Sequence, residues 1–259
     1  MTEELLYETR GEAGWITFNR PAQRNALTFA MYEGVAEICS RVDRTKEVKA
    51  LVITGAGEKA FAAGTDIAQF LDFRDGEDGI AYERKMDRTL DVIERCAVPT
   101  VAAVAGFCTG GGAAIAAVCD FRIATANAQF GFPIARTLGN CLSLANYARL
   151  AALIGPQRVK EMILLARLFD APTALQVGLV SEVLTDVQAL HARAGELAAT
   201  LAGHAPLTMQ VTKEALRRLQ ARMAEDNIDD LIRLAYGSAD FRDGRTAFLG
   251  KRAPRWTGT

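Results

Sequence analysis

Apolar and polar positions along the chain change period several times, and each change marks an element. Residues 5–9 and 15–19 carry short apolar stretches around a turn holding Gly11 and Gly14, which predicts a hairpin. Ala30, Met31, Val35, Ile38 and Val42 recur at helical spacing behind Thr28, predicting a capped helix to about Arg44. Residues 49–54 form a continuous apolar strand, ended by Gly55 and Gly57. The acidic stretch 72–78 reads as an exposed loop. A helix then runs from about Ile80 to Cys96, stopped before Pro99. Residues 100–105 and 121–124 are predicted as buried strands. From about Leu142 the pattern is helical, with 179–184 as its one strand.

Strands therefore alternate with helices in the first half, and helices dominate the second. That order predicts an α/β core followed by a helical segment. No internal repeat, low-complexity tract or long linker divides the chain. The apolar run 101–119 is broken by Gly106, Gly110, Gly111 and Gly112, so it predicts a strand, a turn and a buried helix rather than a membrane span.

Composition narrows the function classes. Of 259 residues half are apolar, and the net charge is -1, which gives no basis for a nucleic-acid groove. The 5 cysteines form no C-x-x-C pair and fit reduced thiols in a cytoplasmic protein. Residues 1–10 carry acids and no apolar core, so no secretory signal is expected there.

Two segments place glycine-rich backbone at strand ends. One is Ala60-Phe61-Ala62-Ala63-Gly64-Thr65-Asp66-Ile67; the other runs from Ala105 through Gly110, Gly111 and Gly112 to Ala114. Free N–H groups at such turns, one of them opening a helix, can jointly face a developing oxyanion. The alternative is tight packing of a helix on a sheet. Neither segment has the spacing of a phosphate-binding loop.

Asn19-Arg20-Pro21 with Asn25-Ala26-Leu27 resembles the NRP…NAL signature of the crotonase (enoyl-CoA hydratase/isomerase) family. Phe61 to Asp66 resembles its F-A-A-G-x-D loop, and Pro99 to Gly106 with the glycine triplet its P-x-I-A-A-V-x-G…G-G-G segment. Cys119-Asp120 and Ala128-Gln129-Phe130-Gly131 continue in register. The segment Ala174 to Val180 and the tail Asp243 to Arg252 match further family stretches.

The resemblance implies a repeated ββα spiral core over 1–195 and a C-terminal helical region over 196–259 that forms trimers, often paired into hexamers. It implies an acyl-coenzyme A substrate, with coenzyme A present only as part of the thioester and no resident cofactor. On it, Thr65 and Gly111 N–H form the oxyanion hole. Backbone at Arg24, Asn25 and Ala26, with Ala62, lines the coenzyme A groove. Arg24 faces a coenzyme A phosphate or is a solvated charge, and Lys251 reaches such a site across a subunit contact.

The chain also departs from that pattern. Family hydratases carry two glutamates where Ala114 and Ile134 stand here. Hydration needs a base for water and an acid for the α-carbon, and neither residue serves. Asn140, Cys141 or Ser143 is expected to supply a polar group to the acyl pocket. With one extra residue before Gly139, Ser143 falls where some members place an aspartate. The alternative is a helix start with Asn140 or Ser143 as its cap. Glu83 and Asp87 border the pocket or, interleaved with Arg84 and Arg88, lie on a solvated face. Asp66 and Asp120 read as loop braces, and His191 and His204 as surface or packing residues. No metal-ligand spacing is present, so no metal is expected. The functional expectation is an acyl-CoA enzyme working through an enolate-type intermediate. The alternative is an inactive acyl-CoA-binding paralogue or structural subunit.

Overall fold

The computed structural model describes residues 3–259; Met1 and Thr2, the start of the acidic N-terminal stretch, lie outside them. Two strands and a helix recur four times. β1 (Leu5–Arg10) and β2 (Ala13–Phe18) lead to α1 (Phe29–Thr45), and β3 (Ala50–Gly55) and β4 (Ala60–Ala62) to α2 (Gly76–Glu94). β5 (Thr100–Val104) and β6 (Phe107–Thr109) lead to α3 (Gly111–Val118). β7 (Phe121–Thr125) and β8 (Gln129–Gly131) lead to α4 (Ile134–Thr137) and α5 (Leu144–Leu164). Then come β9 (Phe169–Asp170), α6 (Ala171–Gln176), β10 (Glu182–Leu184), α7 (Val187–Ala202), α8 (Pro206–Ala221), α9 (Asp229–Tyr236) and α10 (Ala239–Leu249).

The first strand of each repeat joins a six-stranded sheet in the order β1-β2-β3-β5-β7-β10, parallel except for the β1–β2 hairpin. The second strand of the later repeats joins a smaller sheet, β4-β6-β8-β9. Both faces of the large sheet are covered, which is why its central strands read as unbroken apolar runs. Leu51, Ile53, Ala102 and Val104 pack toward α1, α2, α3 and α5. Their alternating neighbours Val52, Val101 and Ala103 pack against Leu190, Ala194 and Ala198 of α7.

The hairpin, the Thr28-capped helix and the buried strands stand where the pattern put them; Thr28 Oγ1 accepts from Met31 N at 3.3 Å. Three expectations need correction. Asp75 Oδ1 accepts from Glu77 N and Asp78 N, so α2 begins at Gly76, inside the expected loop. The strand expected at 179–184 is only Glu182–Leu184. β9 and the small sheet's other strands, two or three residues each, are too short to display a period of two. In addition, α7 runs through the expected boundary at 195/196. No helix among the described residues is long and apolar enough to cross a membrane.

Candidate active site

β4 and β6 are parallel neighbours, with Ala60 opposite Phe107 and Ala62 opposite Cys108, so the loops that follow them leave the sheet side by side. Gly64 (φ +102°) and Gly110 (φ +52°) adopt conformations that favour glycine. The loops touch: a Cβ on Gly110 would lie 3.4 Å from Gly64 Cα. A Cβ on Gly111 would overlap the Tyr32 hydroxyl and come within 3.0 Å of Thr65 Oγ1. The glycines of the triplet do different jobs. Gly112 serves packing, since a Cβ there would run into the Ala62 carbonyl.

Leu27 N donates to Gly64 O and Asp66 N donates to Leu27 O, each at 2.8 Å. These bonds pin the residues flanking Thr65 and leave its own N–H without a partner among the described residues. Gly111 N–H opens α3 and is likewise unpaired; the first helical bond is Ala114 N to Gly110 O. Asp66 braces its loop as expected, capping Ala68 N and pairing with Arg20 at 3.0 Å.

Both loops form one wall of a cavity of about 430 Å³. Met86, Leu90, Phe132, Ile134, Leu138 and Leu142 make its apolar lining. Tyr32 Oη and Tyr82 Oη lie 2.9 and 3.1 Å from Thr65 Oγ1, so the threonine side chain is held by two phenols while its amide stays free.

Of the residues singled out from sequence, Thr65, Gly111, Arg24, Ala26 and Asn140 line this cavity, as do Ala114 and Ile134. Arg24 is exposed, with its guanidinium 5.2 Å from the Phe107 ring centre. The others lie elsewhere. Ala62 is fully buried against α3. Ser143 is outside the lining: its Oγ caps α5 by accepting from Asn146 N and donates to Asp87 Oδ1 at 2.6 Å. Cys141 is half-buried, and burial, with the Glu83 charge, pushes its thiol up to about 12, the reverse of an activated nucleophile. Lys251 is exposed just beyond α10 and is not part of the lining, although Phe248 and Leu249 before it are. His191 packs, with its Nε2 3.3 Å from Thr54 Oγ1 and its ring edge-on to Trp15.

The Asn25 side chain is a brace. It is fully buried at φ +55°, where asparagine is tolerated. Its Nδ2 donates to Ala56 O and Ala60 O, and its Oδ1 accepts from Arg20 N. Asn25→Ala strips three backbone groups, one buried and two part-buried, of partners. It is expected to cost about 1–3 kcal/mol of stability in urea unfolding.

Of the two sequence readings of Glu83, the pocket border is the one the structure takes. Glu83 lies on the cavity wall and is 4% exposed, not on a solvated face. Its Oε1 accepts from the Tyr236 hydroxyl and its Oε2 from Ser143 N at 3.0 Å. Burial pushes its carboxyl up to about 8, against the pull of the Tyr236 and Ser143 hydrogen bonds; the Asp87 charge adds to the rise. The signal was available: Glu83 follows Ile80 by three and precedes Met86 by three, placing it on the apolar stripe of α2 with Leu90 and Ile93. Tyr236, on α9, could not be connected to it by spacing.

Fold and cavity together define an α/β chain with an apolar cavity where two strand-end loops meet. Residues 8–259 match the family described as enoyl-CoA hydratase/isomerase. The chain is 32% identical to the short-chain-enoyl-CoA hydratase of Clostridium acetobutylicum over 96% of its length and 95% of the relative's. It is 31% identical to the crotonyl-CoA hydratase of Syntrophomonas wolfei, over 96% of each. A solved methylmalonyl-CoA decarboxylase in complex with 2-nitronate-propionyl-CoA superposes with a TM-score of 0.89 at 27% identity, over all of both chains. The chain belongs to the enoyl-CoA hydratase/isomerase family.

Proposed function

We propose that the cavity takes the acyl thioester of an acyl-coenzyme A, with the carbonyl oxygen between Thr65 N–H and Gly111 N–H, and that it stabilises an enolate-type intermediate. The observation that carries this is the contact between two glycine-bordered loops whose adjacent amides are both unpaired at the wall of an apolar cavity. Charge developing on the oxygen meets fixed dipoles in surroundings of low dielectric, where they act most strongly. Coenzyme A enters as part of the substrate along the backbone at Arg24 and Ala26, with Arg24 toward a phosphate, and no resident cofactor is needed.

Ala114 and Ile134 at the cavity wall cannot activate water. The reading is therefore an isomerase or lyase working at the α-carbon, rather than a hydratase using those two positions. The relatives' names support acyl-CoA chemistry in general, and the decarboxylase supports an enolate formed without hydration. Leu207, Val211, Leu216 and Leu219 are exposed apolar side chains on α8, which supports a homo-oligomer, a trimer or a dimer of trimers. Scattered free cysteines support a cytoplasmic setting.

The same two apolar positions favour a second reading, an inactive acyl-CoA-binding paralogue. A panel of enoyl-, malonyl- and hydroxyacyl-CoA esters separates the two. Turnover of any member supports the enzyme, whereas binding throughout without turnover supports the paralogue.

A further inference from the structure

We propose that Glu83 is the catalytic residue that moves the proton at the substrate's α-carbon, in place of the two carboxylates absent at Ala114 and Ile134; this rests on the acyl-thioester reading above. Three observations of geometry converge on it. Glu83 is a buried carboxyl on the wall of the cavity that holds the Thr65 and Gly111 amides. The other carboxyl on that wall, Asp66, is already committed to Arg20 and to its own loop. The surroundings of Glu83 can also satisfy it in both protonation states.

That last point follows from Tyr236 and Asn140. With Glu83 charged, the Tyr236 hydroxyl donates to Oε1, and Asn140 Nδ2 donates to Tyr236 Oη at 3.2 Å. Asn140 Oδ1 is then the one buried side-chain polar atom without a partner among the described residues. With Glu83 protonated, its O–H donates to Tyr236 Oη. The freed Tyr236 O–H can donate to Asn140 Oδ1 once that amide turns over. A proton can thus arrive and leave while the Glu83 carboxyl and the Tyr236 hydroxyl each keep a hydrogen-bond partner.

The ionisable groups around Glu83 are phenols, thiol and acid, with no cation in contact. Tyr32 faces it from α1, Tyr82 and Asp87 from its own helix, Cys141 and Tyr147 from the start of α5, and Tyr236 from α9. Arg149 is engaged by Glu94 and Asp87 instead. Burial, and to a lesser degree the Asp87 charge, favours the neutral acid against the pull of the Tyr236 and Ser143 hydrogen bonds, consistent with the carboxyl pushed up to about 8.

The step balances without a co-reactant. Glu83 carboxylate takes the α-hydrogen as a proton, and the C–H electron pair moves to the carbonyl oxygen, giving the enolate held by the two amides. The acid then returns a proton to carbon. In D2O the carboxyl exchanges with solvent between the two halves, so the thioester gains deuterium at the α-carbon.

Butyryl-CoA incubated with the protein in D2O therefore reads the role directly, by mass or proton resonance. The wild type is expected to exchange, with a rate rising about tenfold per pH unit below a midpoint near 8 and levelling above it. Glu83→Gln keeps the shape of the side chain and is expected to bind butyryl-CoA normally while losing exchange ~10²–10⁴-fold. Tyr236→Phe removes a donor to the charged form, so the midpoint should move above that of the wild type while exchange persists.

Exchange by a folded Glu83→Gln within a few-fold of wild type overturns the assignment. If that variant does not fold, an unmoved midpoint in Tyr236→Phe overturns it. Wild-type protein that binds butyryl-CoA without exchanging it contradicts the Glu83 role alone. Protein that binds none contradicts the acyl-thioester reading and takes this inference with it.

Discussion

Gly111→Ala is expected to lower turnover by ~10²–10³-fold, the scale of losing one oxyanion donor. The added methyl would overlap the Tyr32 hydroxyl and crowd Thr65 Oγ1 at 3.0 Å. Tyr32 in turn holds Thr65 by a 2.9 Å hydrogen bond, so one methyl disturbs both donors. A shift of ~1 Å in such a site is enough to cost about 10²-fold, even though neither N–H is removed. Gly111 has no positive φ, so the variant carries no left-handed backbone strain of the kind found at Gly64 and Gly110. Steady-state kinetics with thermal unfolding checks this. Unchanged turnover in a folded variant would remove Gly111 from the site.

The largest stability effect should come from Arg149. It is 5% exposed and reaches Glu94 through Nε at 3.2 Å and Nη2 at 2.9 Å, with Asp87 3.7 Å from Nη1. Arg149→Met leaves the half-buried Glu94 and Asp87 without their cation, and about 3 kcal/mol, the low end for breaking a buried pair, should be lost in urea unfolding. Adding Glu94→Leu should recover most of that loss, because replacing both partners of a buried pair by apolar side chains is often near neutral. A single variant within experimental error of wild type would mean that water already reaches the pair.

The sheet core was legible because β3, β5 and β7 are covered on both faces and show as continuous apolar runs. The small sheet was not, because three-residue strands such as Ala60–Ala62 carry no readable alternation and are held by their neighbours' hydrogen bonds. The two glycine loops were legible as backbone features. That they touch depends on β4 pairing with β6, which only the fold supplies. Ser143 and Asn140 were singled out together, but α5 begins directly after Ser143, so Ser143 becomes its cap while Asn140, in the loop before it, lines the pocket. Glu83 looked solvated because Arg84 and Arg88 flank it. Its helical register with Ile80 and Met86 decides otherwise, and its partner Tyr236 comes from 153 residues away.

Two backbone N–H groups pulling on one thioester oxygen weaken its C=O bond, and the infrared carbonyl stretch of bound, carbonyl-labelled butyryl-CoA measures that pull. The stretch should fall to lower frequency on binding to wild type and return toward the solution value in Gly111→Ala. A ligand bound at saturation with its carbonyl frequency unchanged from water would contradict an oxyanion hole at Thr65 and Gly111.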